Sequence, residues 1–407
     1  MTPVTAHDVR FIESDEAREW LRSEQRSFGI EPEESRLDQL LPTIEQDRAC
    51  AAFEDGQVVA SGGVYTADVH LPGGAAVPVA AVTAVGTRPT HTRRGLFRRI
   101  MDLLHEQSAE RGEPAAALLA SESLLYPRFG YGVATTGAWL KLDRRRAAFR
   151  PDVPITDRLE MFVDVAGAHQ VIGDLWGQAG EHRPGWLSRP QPILDAVLAD
   201  HEVDRHGSMA FTLVVHHDTD GEADGYCLYR RDLSWEQGQS NGSLFVHELV
   251  SLSDEARLTL WHHCLDIDLV ETVEAMPIPV DDPLPEALID RRQCRTVGVH
   301  DQVWLRPHSA ADLLAARRYA VADGVVIDVA DIGRVRVDGG PDGAETSRTS
   351  TTPDLTMGRA ELGSLVVGNS LRALTATGRV QLDDPGSLER LDRFFRWPVA
   401  PYNLLDF

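Results

Sequence analysis

The stretch Val82 to Met101, VTAVGTRPTHTRRGLFRRIM, sets a basic, glycine-containing turn between a strand and a helix, an arrangement able to do chemistry. It begins as an apolar strand, breaks at Pro89 and restarts through Thr92-Arg93-Arg94-Gly95 into a helix whose Leu96, Ile100, Leu103 and Leu104 recur at helical spacing. A helix entered through a basic, glycine-containing turn offers unpaired backbone N–H groups and the positive end of its dipole at one spot. That spot suits a phosphate. The patterns GxGxxG and GxxxxGK[ST] are both absent, which removes the dinucleotide and nucleoside-triphosphate loops. The pairs His216-His217 and His262-His263 invite a metal reading. Neighbours on a strand point to opposite faces, however, and no third ligand sits at a recognisable spacing. They read as surface or loop histidines, and no metal is expected.

The elements that must position these groups belong to a chain of 407 residues, long enough for two or three domains. With 43% apolar and 25% charged residues the composition is that of an ordinary globular protein. The formal charge of −23 repels nucleic acid and anionic membranes and favours cationic ligands such as a polyamine, an aminoglycoside or a lysine-rich peptide. The same acidity also serves solubility alone. Four cysteines, Cys50, Cys227, Cys264 and Cys294, lie far apart with no CxxC pair, which argues against structural zinc and a disulfide framework. The first residues carry no basic-then-apolar leader, and no run of 18 apolar residues occurs, so a soluble, cytoplasmic protein is expected.

Along the chain, Val9 to Ile12 reads as a strand and Asp15 to Arg26 as a helix. Glu31 to Glu45 is acidic and loop-like or weakly helical. Ala49 to Phe53 and Val58 to Val64 form a hairpin about Asp55-Gly56. Strands Tyr65 to His70 and Val77 to Val85 follow, then the helix Arg94 to Gly112 and the strand Ala115 to Ala120. Past Arg150 the composition changes at Pro151 and Pro154, and Phe245 to Cys264 repeats the strand-then-helix step without its Arg-Arg-Gly turn. From about Thr296 a third segment holds a helix, Ser309 to Tyr319, strands Val325 to Val329 and Ile332 to Val337, and a glycine-, serine- and threonine-rich stretch, Gly339 to Thr352, that reads as a long turn. Helical pieces near Arg359 to Val366 and Ser387 to Arg396 close it.

The strand ending Val85-Gly86-Thr87, followed by Arg-Arg-Gly and a helix, resembles the pyrophosphate turn of the GNAT acetyltransferases. It departs from the general turn [QR]xxGx[GA] with Thr92 at the first position and Phe97 at the last. The segment ASESLLYPRFGYG, Ala120 to Gly132, resembles the family segment in which a short helix after the fifth strand ends in a tyrosine beside the thioester sulfur. Together with PTHTRRGLF (Pro89 to Phe97), the Arg189-Pro190 neighbourhood and the final Asp406-Phe407, these motifs resemble the Eis (enhanced intracellular survival) family over essentially the whole chain. That family comprises N-acetyltransferases of aminoglycosides and other amines. The implied fold class is mixed α/β or α+β: a GNAT domain at 1–150 with the acetyl-CoA site, a second GNAT-like domain at 151–295 without one, and a sterol-carrier-protein-like domain at 296–407.

The resemblance implies acetyl-CoA as acetyl donor, a cationic amine substrate and a homohexamer, with no part for nucleic acid or membrane. It places Val85, Gly86 and Thr87 along the pantetheine arm. Arg93, Arg94, Gly95, Leu96, Phe97 and Arg98 form the pyrophosphate turn, and Ser121 with Glu122 continues the pocket. Arg98 serves equally as a solvated surface charge. Tyr126 is implied as the acid and the α-carboxylate of Phe407 as the base, while Phe129 and Tyr131 read as packing aromatics. Amine-site candidates are Asp406, Phe28, Trp186 and the acidic Glu31, Glu33 and Glu34. Ala84 stands where some relatives carry an aromatic residue, and Arg26 stands near where an acidic residue helps bind the amine. A C-terminus ordinarily frays, but the tail Trp397 to Phe407 carries two prolines and the apolar Tyr402, Leu404, Leu405 and Phe407, so it can pack back into the body. Two other readings remain: an acetyltransferase of protein lysines or polyamines without aminoglycoside activity, and a non-catalytic cofactor- or lipid-binding module built on the third domain. Tyr126 and the Phe407 end weigh against the module.

Overall fold

The computed structural model describes residues 7–162, 165–205 and 207–407. Seven strands form the first sheet, in the spatial order Asp8–Phe11, Cys50–Glu54, Gln57–His70, Ala76–Thr87, Ala115–Leu119, Val303–Pro307 and Gly132–Val133. Ala76–Thr87 and Ala115–Leu119 run parallel, and the helix Leu96–Glu110 crosses over between them. That helix buries Leu96, Ile100, Met101 and Leu104, the i, i+4 stripe that the sequence periodicity predicts. A second seven-stranded sheet has the order Cys294–Asp301, Thr136–Asp143, Val270–Ile278, Gly242–Ser251, Ala223–Asp232, Thr212–His217 and Leu159–Phe162. It repeats the parallel step through the helix Asp254–Asp266. Five strands, Gly343–Arg348, Gly333–Gly340, Asp323–Val329, Leu355–Met357 and Val380–Leu382, form the third.

The chain exchanges strands near the divisions expected at 150 and 295. Thr136–Asp143 pairs inside the second sheet, and Val303–Pro307 returns to the first, antiparallel to Ala115–Leu119. One apolar core accordingly spans both sheets, joining Val69 and Val79 with Leu213, Tyr226 and Val303. The third part packs its helix Arg359–Val366 onto the far edge of the first sheet. A Cβ at Gly132 would lie 1.8 Å from the Ala360 carbonyl oxygen, and one at Gly363 would lie 2.3 Å from that of Leu305. Only glycine permits this approach of backbone to backbone.

Several sequence expectations are corrected. Tyr65–His70 is the continuation of one long strand, Gln57–His70. Of the two alternatives for Glu31 to Glu45, the helical one holds over Glu34–Leu40, whose Leu37 is fully buried. Gly339 to Thr352 contains the strand Gly343–Arg348, held as a hairpin partner of Gly333–Gly340; its small polar residues suit an exposed edge strand as well as a turn. His216 is fully buried rather than on the surface, with its Nδ1 2.5 Å from Asp224 Oδ1 and its Nε2 2.8 Å from Thr156 Oγ1. A buried imidazole needs such partners. His263 pairs with the Tyr229 hydroxyl at 3.2 Å. Among the described residues no helix is long and apolar enough to cross a membrane.

Beneath the first sheet Arg48, fully buried, makes a two-pronged pair with Glu113 at 2.7 and 2.8 Å and reaches Thr66 Oγ1 at 2.9 Å. Removing one partner strands a buried charge, at a cost of about 3–5 kcal/mol, whereas replacing both by apolar groups is close to neutral. Denaturant unfolding of Glu113→Ala is therefore expected to show a loss of that size, and the double variant Arg48→Met, Glu113→Leu is expected to recover most of it.

Candidate active site

The strand Ala76–Thr87 is irregular where the chemistry is expected. Ser61 pairs with Gly86 and Gly63 with Thr83, so Ala84 and Val85 together oppose the single residue Gly62. This bulge places Ala84 at φ +55°, and Ser61 Oγ donates to the Ala84 carbonyl at 3.0 Å. The parallel ladder to Ala115–Leu119 ends at the pair Val82–Leu118. Beyond it the two strands have no shared register, and the half-buried backbone of Val85, Gly86 and Thr87 borders the opening. A bulge beside a split in the sheet leaves main-chain groups free to pair with an extended ligand arm.

The turn after this strand is built to meet an anion. Arg93 at φ +63° and Gly95 at φ +80° bracket Arg94, and Gly95 caps the fifteen-residue helix without any side-chain acceptor. No acidic residue stands in the first turn, so its N–H groups and dipole remain available to phosphate. Arg93, Arg94 and Arg98 are exposed around it. Arg94 is held meanwhile by the Thr90 carbonyl at 3.1 Å and by Glu54 at 3.4 Å, and Arg98 lies over the Phe129 ring at 5.7 Å. Leu96 is a core side chain, able to contribute only its backbone, while Phe97 is half-buried against Tyr126 and Phe129 with centroids 6.0 and 5.7 Å away.

Tyr126 precedes the tight turn Pro127–Phe129; this one turn is the only helical structure in the segment, where a short helix is expected. Tyr126 is 4% exposed. Burial pushes its phenol above the ordinary value, opposed by a hydrogen bond with Ser121, while Glu122 adds to the rise. The phenol therefore keeps its proton throughout the neutral range. Tyr131, fully buried behind it, bonds His105 Nε2 at 2.9 Å. Arg306 ties the turn to the returning strand through the Phe129 carbonyl at 2.7 Å.

The tail is packed. Tyr402, Asn403, Leu404 and Leu405 are buried. The Tyr402 N–H donates to Pro184 at 2.9 Å and its hydroxyl to the Pro277 carbonyl at 2.8 Å. Asn403 Oδ1 accepts from the Leu187 N–H at 3.1 Å, and its Nδ2 donates to Leu405 at 2.7 Å. Arg183 bonds Asp281 at 2.7 Å and the Ala400 carbonyl at 3.1 Å. Asp406 and Phe407 then emerge into a cavity of about 860 Å³ shared with Tyr65, Phe211, Arg230 and His247. The arginines on its wall are paired: Arg36 with Asp204 at 2.8 Å, Arg205 with Asp200 at 3.3 Å, and Arg230 with Asp200 at 2.6 Å. Asp232 and Asp406, which also line it, have no ion-pair partner among the described residues.

Comparison with known proteins agrees with this geometry. Residues 8–134 and 185–315 each match families described as an acetyltransferase (GNAT) domain, and residues 310–404 match the sterol carrier protein domain. N-acetyltransferase Eis of Mycobacterium tuberculosis is 34% identical over 348 residues, 83% of each chain. The chain belongs to the Eis family of N-acetyltransferases. An uncharacterized N-acetyltransferase of Streptomyces griseus is 32% identical over an alignment of 412 positions, covering 97% of this chain and 98% of its own. The crystal structure of Eis1 from Mycobacterium abscessus superposes with a TM-score of 0.85 at 33% identity, over 98% of this chain and 100% of the other. A GCN5-related N-acetyltransferase from Anabaena variabilis shares the fold, with a TM-score of 0.84 at 17% identity. The protein is thus an acetyltransferase of the GNAT type, a class that draws its acetyl group from acetyl-CoA, with two such domains and a sterol-carrier-like third.

The residues picked from this Eis-family sequence separate into groups. Val85 to Thr87, Arg93 to Arg98, Ser121, Glu122 and Tyr126 gather about the bulge and the helix start, and Asp406 with Phe407 stands in the cavity, whose lining includes neither Tyr126 nor Val85. Trp186 is corrected: it is 3% exposed, its ring tilted by 47° with the centroid 4.5 Å from that of Trp176 and 6.0 Å from that of Tyr402, so it supports the tail from beneath. Its aromatic type fits a core as well as an amine site. Phe28, just after the helix Ala17–Ser27, and Glu33, just before Glu34–Leu40, are exposed and line no part of the cavity. Sequence reasoning missed Glu24, half-buried, whose carboxyl is raised by burial, countered by Gln25 and Arg36. It also missed His247, an exposed strand residue that lines the cavity with its ring 5.0 Å from Phe211. Neither carries a motif; only the fold brings His247 to the cavity wall and Glu24 beside the lining residue Gln25.

A Cβ at Gly95 meets nothing within 4 Å, so Gly95→Ala introduces no clash and charges only the left-handed backbone, about 1–2 kcal/mol. Titration calorimetry with acetyl-CoA is expected to show roughly tenfold weaker binding; an unchanged affinity removes this turn from the cofactor site.

Proposed function

We propose that the protein transfers acetyl from acetyl-CoA directly to primary amines of cationic substrates of the aminoglycoside or polyamine class. The observation that carries this reading is the buried tail, which delivers Asp406 and the α-carboxylate borne by Phe407 into an 860 Å³ cavity. The lining sets Arg36, Arg205 and Arg230 against Asp200, Asp204, Asp232, Glu274 and Asp406, so the surplus charge is negative, which selects cations. The volume falls in the range that encloses a drug-sized ligand.

A primary amine with a pKa near 10.4 arrives protonated and must lose a proton before it can attack. The Phe407 carboxylate is an inherently weak base, with an ordinary pKa of about 3.3–3.7, while the ammonium becomes more acidic as it is desolvated. The freed amine attacks the thioester carbonyl, and the oxyanion that forms takes a hydrogen bond from the Val85 N–H at the bulge. As the tetrahedral intermediate collapses, the Tyr126 phenol gives its proton to the departing thiolate. Burial supports that role, since it keeps the phenol protonated. No acyl-enzyme step is needed: all four cysteines are buried and free.

Following thiol release from acetyl-CoA with a panel of aminoglycosides, polyamines and lysine peptides tests the reading, and no release with any amine would sink it. Tyr126→Phe is expected to lower kcat by about 10²–10⁴ with KM for acetyl-CoA little changed. Appending residues after Phe407 is expected to abolish turnover while calorimetry still detects acetyl-CoA binding; full activity in the extended chain takes the carboxylate out of the mechanism.

A further inference from the structure

A cluster outside the acetyl-transfer machinery has the composition of a metal site. Antiparallel pairing of Asp8 with Phe53 carries His7 opposite Glu54 at the next step of the register, and the turn Pro89–His91 brings His91 over the same carboxylate. His7 Nε2 lies 3.2 Å from Glu54 Oε1, and His91 Nε2 lies 2.7 Å from Glu54 Oε2. One ligand atom from each of the three residues falls within 4.8 Å of the others, and the imidazoles meet edge-on at 84° with centroids 6.1 Å apart.

Two details separate this trio from a surface ion pair. His7 is 7% exposed, and its Nε2 is buried without a hydrogen-bond partner although Glu54 Oε1 stands 3.2 Å away. A buried, unpaired ring nitrogen is costly and calls for a partner. His91 Nδ1 stands 2.8 Å from Thr90 Oγ1, the outer contact that leaves Nε2 as the ligating atom. Arg99 fixes the backbone of the first ligand, donating twice to the His7 carbonyl at 3.1 Å.

We propose that His7, Glu54 and His91 form a site for a zinc-class divalent ion that clips the first strand to the turn leading into Arg93–Gly95. Two imidazoles and a carboxylate suit zinc, cobalt or nickel rather than magnesium or calcium. Tetrahedral binding at 2.0–2.1 Å sets ligand atoms about 3.3 Å apart, close to the His7–Glu54 separation. Three protein ligands leave a fourth position for water. The ion must displace the guanidinium of Arg94, which lies 3.4 Å from Glu54 and is 46% exposed, so it can swing into solvent. The clip bridges elements 47 and 37 residues apart in sequence, which is why no spacing motif announces it.

Zinc binding to the metal-free full-length chain is expected to have a stoichiometry of one per chain by calorimetry and to raise the thermal midpoint. His7→Gln and Glu54→Gln are each expected to weaken binding at least tenfold and to cancel the thermal shift. Cobalt substitution distinguishes the site from adventitious capture by the cysteines: visible d–d bands without thiolate charge transfer are expected. No bound zinc in the parent chain, affinity unchanged in both variants, or a thiolate band in the cobalt form overturns the proposal. None of these readouts depends on acetyl transfer.

Discussion

The arrangement depends on the seam into which Tyr402, Asn403, Leu404 and Leu405 are folded. Burying Tyr402, Leu404 and Leu405 yields about 1.5–3 kcal/mol each, roughly what ordering one or two residues costs. Apolar contact alone therefore leaves the terminal segment near balance, and the polar clamps decide it. Arg183 and Asp281 on Ala400, the Tyr402 hydroxyl on the Pro277 carbonyl and the Leu187 N–H on Asn403 Oδ1 tie the segment to the stretch 183–187, to the strand Val270–Ile278 and to the loop after it. Their partners belong to the middle of the chain, so the position of the last residue is an outcome of the second domain's folding. A carboxylate at the end of a free tail would sample a large volume; here its last anchored neighbour, Leu405, is 5% exposed.

The exchange of strands between the two sheets serves the same end. Because Thr136–Asp143 and Val303–Pro307 cross over, the sheets share one core and cannot move as independent bodies without opening it. The cavity lies along that shared core, with Tyr65 from the first sheet and Phe211 and His247 from the second. The third part acts from the opposite side. Its helix Arg359–Val366 lies against Gly132, just beyond the turn that orients Tyr126, at a distance a side chain at 132 would forbid.

What was legible in the sequence was local. The helix Leu96–Glu110 announced itself by a four-residue apolar period, the hairpin at Asp55-Gly56 by its turn residues, and the anion-binding turn by Arg-Arg-Gly between strand and helix. Where residue type fits two environments, the sequence was silent. Trp186 reads equally as a ligand platform or as core, and packing against Trp176 and Tyr402 settled it. His216 looked like a loop histidine because its partner Asp224 lies on the neighbouring strand. The strand exchange was hidden because a strand's alternation records which face is buried and says nothing about which sheet it joins.

On the proposed reading, the cofactor end and the amine end of the site are built differently. At the cofactor end the backbone is bent: a bulge at Ala84-Val85 and left-handed residues at Arg93 and Gly95 leave main-chain groups unpaired, so affinity comes from groups every residue possesses. At the amine end selection rests on side-chain charge: Arg36 pairs with Asp204, Arg205 and Arg230 share Asp200, which is itself left-handed at φ +47°, and Asp232 and Asp406 leave the excess negative. A substitution at the cofactor end acts through φ, whereas one at the amine end acts through the charge balance. The cofactor end is therefore the less free to vary, because few residue types tolerate its dihedrals. The amine end can be retuned by exchanging single charged residues on a wall whose shape the shared core already fixes.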